Sequence, residues 1–190
     1  GLQARELPSG RLALAQIGGA AARASEQGDA LRGKIRVAAP NDFGVAVCGP
    51  LFCEFMRRYP DITLDLELSD RTVDLVHEGF DFAVRVGTIR DPALVVRNVG
   101  AIRGCLVASQ EYADSHVLPT TPDELHQHRH IEFAPHPPFS HTLRLHGPEG
   151  AMVDVPILGA LRVNSFVVVR EAVLEGLGIA RLPTYLSGKL

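Results

Sequence analysis

Tryptophan is absent from the 190 residues, and aromatic residues together make up only 6% of the chain. Proteins that bind single-stranded nucleic acids stack the bases on exposed aromatic side chains, so this composition argues against such a stacking surface. The 22 acidic residues outnumber the 19 lysines and arginines. The resulting formal net charge of −3 argues against binding of a polyanion such as a nucleic acid by this chain alone.

Long apolar runs are also lacking, so no segment is expected to span a membrane. The first residues do not combine a charged stretch with an apolar core and a cleavage site, so no secretory signal is expected. The three cysteines, Cys48, Cys53 and Cys105, form no C-x-x-C pair. Their odd number favours a reducing compartment with buried, inert thiols, and a redox switch at Cys105 is the alternative.

Residues 1–32 are rich in alanine and differ in pattern from the rest of the chain. Apolar residues recur there at heptad-like steps, at Leu14, Ile17, Ala21, Ala24 and Leu31. This spacing predicts a helical arm, which is either frayed or paired with a partner, because short isolated helices are marginal in water.

From Gly33 onward, strand-like and helix-like patterns alternate twice along the chain. In the first series, strands are predicted at 34–39, 61–68 and 81–86, with helices over 44–59 and 70–78. A second series has strands at 104–109, 130–133, 142–147, 152–163 and 177–183, and a helix that ends at Glu175. Two such series in tandem predict an α/β protein of two Rossmann-like lobes with largely parallel sheets.

The turn APNDFG, residues 39–44, joins a predicted strand to a predicted helix. It lacks the glycines of G-x-G-x-x-G and the lysine of a phosphate loop, so it is not expected to bind nucleotide phosphates. Beside Asn41 and Asp42, the helix N-terminus either attracts an anion or is capped by one of these two side chains. Arg85 lies near the end of an apolar strand, which favours a position in a ligand-binding cleft over an exposed position on an edge strand.

The sequence motifs give little support for an enzymatic function. The sequence contains no G-x-S-x-G and no H-E-x-x-H. A metal hypothesis rests on the spacing of His126, His128 and His130 alone, and surface histidines are the favoured interpretation. No catalytic residue, metal ligand or cofactor is therefore predicted, and the chain is not expected to be an enzyme.

Four segments, taken in order, carry a resemblance to a known family. They are GKIRVAAPNDFG, PLFCEFMRRYPDITLDLELSDRTVDLVHEGFDFAVRVG, LVASQEYADSHVLPTTPDELHQH and NSFVVVREAVLEGLGIARLP. From about Gly33 to Leu190, the chain resembles the effector-binding domain of a LysR-type transcriptional regulator. Residues 1–32 resemble the remnant of that family's linker helix, which packs against a second subunit.

The resemblance implies a fold similar to type 2 periplasmic binding proteins. Residues 33–101 would form lobe one, and residues 102–190 would form lobe two. The family's chain normally crosses back to complete lobe one. Because this sequence ends at LSGKL, the C-terminal part of lobe one is expected to be missing, as is the N-terminal winged helix-turn-helix.

The resemblance also implies an effector site between the lobes. The corresponding residues here are Asn41, Asp42, Phe43, Arg85, Gly87, Ser109, Phe133, Asn164, Ser165 and Phe166. The family often has a serine or threonine at the position of Asp42, where the hydroxyl can donate to a carboxylate effector. An aspartate repels an anion unless Arg85 pairs with it, so a pocket less selective for anions is expected.

The implied function is a ligand-sensing regulatory domain that binds a small metabolite and has no catalytic role. Its expected partners are the small-molecule effector, a second copy in a dimer or tetramer, and DNA only through the missing winged helix-turn-helix. The expected location is the cytoplasm, with no membrane partner. The alternative is an extracytoplasmic solute-binding protein, which shares the fold and predicts a signal sequence upstream.

Overall fold

A computed structural model of the chain describes residues 7–17, 32–87, 89, 91–134, 141–146, 151–157 and 159–187. The chain forms two compact units that divide between Ile102 and Arg103, inside one long strand. The N-terminal unit is Gly10–Ile102, and the C-terminal unit contains the chain from Arg103 onward and the chain up to Ser9. No helix in the described part of the chain is long and apolar enough to cross a membrane.

The N-terminal unit is built on a mixed sheet. Its strands are the part of β1 (Leu7–Ile17) from Gly10 onward, β2 (Gly33–Ala39), β3 (Ile62–Leu68), β4 (Phe82–Val86) and the first part of β5 (Leu94–Val107). The central strand β2 pairs in parallel with β3 on one side and with β4 on the other, while β1 pairs antiparallel with β4. The parallel order that the sequence predicts for β2, β3 and β4 is confirmed.

The connection from β2 to β3 is helical but not uniform. It consists of α1 (Asn41–Phe43), a π-helical turn (Gly44–Cys48) and α2 (Gly49–Arg58). Pro50 lies in the first turn of α2. Because proline has no N–H and its ring crowds the carbonyl four residues earlier, the wider π-helical turn accommodates it.

The connection from β3 to β4 is irregular, so the helix predicted over 70–78 is wrong. Val73, Leu75 and Phe80 enter the core together with Ala38 and Ala83. Their spacing of two and five residues does not fit one helical face. The stretch keeps a single turn, in which Glu78 N–H donates to Asp74 O at 2.9 Å, and the chain reverses at Gly79, whose φ is +69°. Asp74 N–H donates to a side chain instead, to Glu78 Oε1.

The C-terminal unit also has a mixed sheet, in which the strands lie in the order β5, β10 (Ile179–Pro183), β6 (His130–Phe133) and β9 (Gly159–Val163). Strand β10 is antiparallel to β5 and parallel to β6, which is parallel to β9. A separate antiparallel pair joins β7 (Thr142–His146) and β8 (Met152–Pro156). The helices are α3 (Gln110–Ser115), a 3-10 helix (Asp123–Gln127), α4 (Phe166–Leu174) and α5 (Thr184–Ser187).

Two cores cover the two faces of this C-terminal sheet. One face packs against α4 through Ile131, Val169, Ala172, Val173, Ala180 and Leu182. The opposite face carries Tyr112, Leu125, Val155 and Ile179. Ile179 and Ala180 are neighbours on β10 yet enter different cores, because successive side chains of a strand point to opposite faces. The prediction of an α/β fold is confirmed.

The predicted helical arm is wrong over Leu7–Ile17, which forms strand β1. Leu12 lies opposite Val86 and Leu14 lies opposite Val84 in the antiparallel register with β4. Leu12 and Leu14 alternate with alanines, so this segment fits a period of two as well as its heptad-like spacing. The backbone of β4 also gains hydrogen-bond partners on its second side. The remaining predicted positions, Ala21, Ala24 and Leu31, lie outside the described residues.

Candidate functional site

Three parallel strands of the N-terminal unit end at the same edge of its sheet, and we call this the carboxyl edge. There β2 leads into Asn41, β3 leads into a loop formed by Ser69, Asp70 and Arg71, and β4 leads into Gly87. The backbone N–H of Ser69 donates to the oxygen of Ala39 at 2.9 Å, which joins the first two strand ends. Ligands of open α/β sheets bind at such edges.

An aspartate from the loop after β3 caps the helix after β2. The N–H of Asn41 donates to Oδ1 of Asp70 at 3.1 Å, while the N-cap position itself is Pro40, whose side chain makes no capping bond. The interpretation that Asn41 or Asp42 caps this helix is therefore wrong. The first amide of α1 already has an anionic partner, which reduces its attraction for a second anion.

Arg85 is anchored to the same loop. Its Nη1 donates to the main-chain oxygen of Arg71 at 3.0 Å and to that of Ser69 at 3.4 Å. Strand β4 lies between β2 and β1, so Arg85 is not on an edge strand, and the side chain is half-buried. Within the described part of the chain, Nη2 is buried and has no hydrogen-bond partner.

Burial lowers the pKa of Arg85, and the charge of Asp70 opposes that change more than any other carboxylate does. A buried donor without a partner costs about 1–3 kcal/mol. The guanidinium of Arg85 is therefore a cation that two carbonyl groups hold in position. Its Nη2 can still donate to another acceptor. A carboxylate is the acceptor that a guanidinium prefers.

The loop after β3 is held in place by an exposed ion-pair network. Arg71 Nη1 donates to Glu78 Oε1 at 2.8 Å, and its Nη2 donates to Glu67 Oε1 at 3.0 Å and to Glu78 Oε2. The hydrogen bond from Arg71 lowers the pKa of Glu78 to about 2. The side chain of Arg71 therefore binds two carboxylates. Its main-chain oxygen separately accepts the hydrogen bond from Arg85 Nη1.

Five predicted site residues meet at the carboxyl edge, namely Asn41, Asp42, Phe43, Arg85 and Gly87. Asn41 is exposed and Asp42 is half-buried, whereas Phe43 is only 6% exposed and packs as a core residue. Gly87 has a φ of +115°, and an added Cβ would meet no described atom within 4 Å. No described atom therefore fills the space beside the end of β4.

Four further predicted residues come together in the C-terminal unit. The rings of Phe133 and Phe166 stack with centroids 3.8 Å apart and planes 8° apart. Asn164 and Ser165 link β9 to α4, and Ser165 occupies the N-cap position without a side-chain capping bond. The N–H of Ala134 donates to Val163 O at 2.8 Å, which holds the ends of β6 and β9 side by side.

Ser109 does not join those four residues. Strand β5 is antiparallel to β10, with Val107 opposite Ala180, so the residues after β5 lie at the end of the sheet where β6 begins. Ser109 Oγ accepts from Tyr112 N–H as the N-cap of α3, and it lies near Gly176, beyond the C-terminal end of α4. The antiparallel direction of β5, which the sequence pattern does not show, is the reason for this separation.

The loop residues Ser69, Asp70 and Arg71 were missed by the sequence reasoning, which places Ser69 and Asp70 at a helix cap. The sequence does contain one indication of these residues. The predicted strand DITLDLEL ends at the residue before Ser69. Neighbouring parallel strands end at the same edge of a sheet. Any residue directly after a predicted parallel strand is a candidate on that argument.

The clustered histidines are engaged in hydrogen bonds with nearby groups. His128 Nδ1 lies 3.0 Å from the hydroxyl of Tyr112, and buried His130 donates from Nε2 to the oxygen of Leu125 at 2.8 Å. His126 Nδ1 contacts the oxygen of Asp123. Across the described ranges, no three histidine, cysteine, aspartate or glutamate side chains are placed to share a metal ion.

Comparison with known proteins identifies one family. Residues 28–189 match the family model described as the LysR substrate binding domain. An HTH-type transcriptional regulator of Haemophilus influenzae is 28% identical over 84% of this chain and 54% of its own length. The HTH-type transcriptional regulator YhjC of Escherichia coli is 32% identical over 80% of this chain and 51% of its own. This chain thus spans about half the length of the curated relatives it matches.

Solved structures agree with that result. The full-length structure of AphB, a Vibrio cholerae virulence activator of the LTTR family, is 34% identical, covers 90% of this chain and 57% of its own, and has a TM-score of 0.74. The CrgA regulatory domain, a LysR-type regulator from Neisseria meningitidis, is 28% identical over 82% of this chain and 74% of its own, with a TM-score of 0.70. Such regulatory domains have the type 2 periplasmic-binding-like fold, so the predicted fold class is confirmed.

Proposed function

Since this chain belongs to the LysR substrate-binding domain family, we propose that it is the ligand-sensing domain of a LysR-type transcriptional regulator. In this proposal, a small-molecule effector binds at the carboxyl edge of the N-terminal unit. The relatives named above are transcriptional regulators, so the alternative of an extracytoplasmic solute-binding protein is not favoured.

One observation at Arg85 carries the proposal. A guanidinium held by two main-chain oxygens, with a buried Nη2 that lacks a partner in the described chain, is a costly arrangement for a purely structural residue. The cost falls when a ligand oxygen accepts from Nη2. The resemblance also implicates Ser109, Phe133, Asn164, Ser165 and Phe166, and their assignment to effector binding stays a prediction.

We further propose that the chain self-associates through an open groove between α2 and β3. The groove has a volume of about 490 Å³ and is lined by Gly49, Phe52, Cys53, Met56, Arg57, Leu64 and Leu66. Helix α2 has no buried residue, and β3 is the edge strand in the order of described strands. An unpaired strand edge beside an apolar groove is suited to a symmetric contact with a second copy.

The rest of the regulatory action is proposed from the relatives, which are longer HTH-type regulators of which the match covers about half. We propose that the whole protein binds DNA through a winged helix-turn-helix and acts in the cytoplasm. Effector binding would change the pairing or the shape of the domain and so alter DNA binding. Coupling energies of such switches are about 1–3 kcal/mol, so a small difference in effector contacts is enough.

A thermal-shift screen of this chain against a broad panel of metabolites tests the effector-binding function. A ligand at one hundred times its dissociation constant stabilises the folded state by about 2.7 kcal/mol. For a chain of this size that free energy raises the melting temperature by about 5–10 °C. An unrelated protein in the same plates controls for effects of the metabolites on the dye. If no metabolite gives a shift specific to this chain, the proposal fails.

A further inference from the structure

We propose that the effector carries a protonated amine in addition to a carboxylate, as an α-amino acid does, and that Asp70 selects for this amine. The inference rests on the proposed function, because it concerns the same carboxyl edge. It is carried by an acidic side chain, Asp70, in the loop after β3 and by a basic side chain, Arg85, that is bound to the main chain of the same loop.

The donor for the ligand carboxylate is Arg85. Its Nη1 is already committed to the oxygens of Ser69 and Arg71, which leaves Nη2 as the group that lacks an acceptor among the described residues. Nη2 is closed to solvent, so the groups that cover it must move when a ligand arrives. The space beside Gly87 that no described atom fills lies two residues further along the chain.

The acceptor for the ligand amine is Asp70. This residue is exposed, and its Oδ1 accepts one hydrogen bond from Asn41 N–H, so the carboxylate retains further acceptor capacity. Its charge acts on Arg85 more strongly than that of any other carboxylate, yet the described residues include no ion pair within 4.0 Å between the two. A ligand that carries both an anionic and a cationic group can therefore pair with both side chains.

The charge balance at this edge disfavours a simple anion. Asp70 supplies an exposed carboxylate between the two residues whose main-chain oxygens hold Arg85, whereas Arg71 is already paired with Glu67 and Glu78. A plain organic acid therefore meets attraction from Arg85 and repulsion from Asp70. An amino acid with an uncharged side chain has no net charge and presents an ammonium to Asp70, so each of its charged groups meets a group of the opposite sign.

Burial differs between the two groups. Nη2 is buried whereas Asp70 is exposed, so the ligand carboxylate would lie on the inner side and its amine would remain near the surface. Removal of the amine leaves the carboxylate contact in place but restores the repulsion from Asp70. Amine-bearing acids and their deaminated counterparts should therefore differ in affinity, and Asp70 should be responsible for that difference.

The test is isothermal titration of the chain with the twenty L-amino acids and with the matching acids in which hydrogen replaces the amino group. Three proteins are compared: the unmodified chain, Asp70→Asn and Asp91→Asn. The asparagine of Asp70→Asn retains an oxygen that can accept from Asn41 N–H. Asp91→Asn is the matched control, because Asp91 is exposed in the same unit and its Oδ1 also accepts a backbone N–H, from Ala93.

We expect at least one amino acid to bind ten-fold or more tightly than its deaminated counterpart. In Asp70→Asn this ratio should fall below three-fold, while Asp91→Asn should keep it. If the deaminated acid binds within three-fold of the amino acid in the unmodified chain, the inference is overturned and the proposed function stands. If no member of the panel binds but the broader metabolite screen finds a ligand of another class, the inference again fails alone. If neither experiment finds a ligand, both fail.

Discussion

Arg85 Nη1 donates to the main-chain oxygen of Arg71 at 3.0 Å, which ties the end of β4 to the loop after β3. The side chain of Arg71 is in turn bound to Glu67 and Glu78. The guanidinium that we propose for effector binding is therefore held by the main chain of a second arginine, whose own side chain is paired with two carboxylates.

Replacement of Arg71 by glutamine should change the titration of Glu78. Because Arg71 lowers the pKa of Glu78 to about 2, this carboxylate stabilises the fold above its ordinary pKa of 4.5. That stabilisation is lost as the pH falls from about 4.5 towards 2. In Arg71→Gln, the pKa of Glu78 should rise towards 4.5, as followed by carbon NMR of the side-chain carboxyl group. A Glu78 that titrates near 4.5 in the unmodified chain would contradict the network.

The partial burial of His128 predicts a loss of stability in mild acid. Burial, together with the neighbouring His116 and His130, lowers the pKa of His128, although Glu124 opposes the change. The unfolded chain therefore binds a proton more readily, and the free energy of unfolding should fall as the pH drops below about 6.5. Urea denaturation between pH 7.5 and 5 should show a shallower decline for His128→Gln than for the unmodified chain.

The control for this measurement is His126→Gln, which removes an exposed histidine from the same stretch of chain. It should leave the decline with pH close to that of the unmodified protein. Equal declines for both variants would show that His128 has no part in the pH dependence.

A close approach of two chain segments predicts a severe effect of Gly178→Ala. Gly178 has a φ of +155°, and an added Cβ would lie 2.3 Å from the main-chain oxygen of Arg129. The backbone cannot yield as a flexible side chain can, so we expect a loss of about 2–4 kcal/mol in unfolding free energy. Gly100→Ala, which meets nothing within 4 Å among described atoms, should stay within about 0.5 kcal/mol. Similar urea midpoints for the two variants would contradict this.

Self-association through the groove can be tested by placing a charge inside it. Phe52 lines the groove, whereas its neighbour Leu51 is 58% exposed and does not line it. Phe52→Glu should weaken dimerisation at least ten-fold in sedimentation equilibrium, because a carboxylate would lose water on association. Leu51→Glu adds the same charge one residue away and should have little effect. Equal effects of the two variants would rule out the groove as the contact.

The parallel strands of the N-terminal unit could be predicted from sequence because their apolar patterns are strong and their connections are helical or long enough for crossovers. That alone places Asn41 and Arg85 at a common edge, since the carboxyl ends of parallel strands coincide. The helix predicted after Asp70 failed for a tertiary reason. Val73, Leu75 and Phe80 reach the core at spacings that do not fit one helical face. The side chain of Glu78 accepts the backbone N–H of Asp74.

Strand directions and partners far apart in sequence could not be predicted in the same way. The separation of Ser109 from Phe133 follows from the antiparallel pairing of β5 with β10, which are more than seventy residues apart. The pairing of Leu7–Ile17 with β4 depends on a strand in the same unit but far along the chain. Alternating Leu12 and Leu14 are compatible with a strand, and the heptad-like spacing outweighed that pattern in the prediction.

The most direct test of the account is isothermal titration of one ligand from the metabolite screen into the chain, Arg85→Gln and Arg97→Gln. Arg97 is exposed in the same unit and lies on β5, which is not one of the three strands of the carboxyl edge, so its replacement removes an equal charge from another strand. A charge-assisted hydrogen bond contributes about 1.5–3 kcal/mol, so Arg85→Gln should weaken binding by about ten-fold or more, and Arg97→Gln should leave it nearly unchanged. Equal affinities for all three proteins would contradict the assignment of the effector site to Arg85.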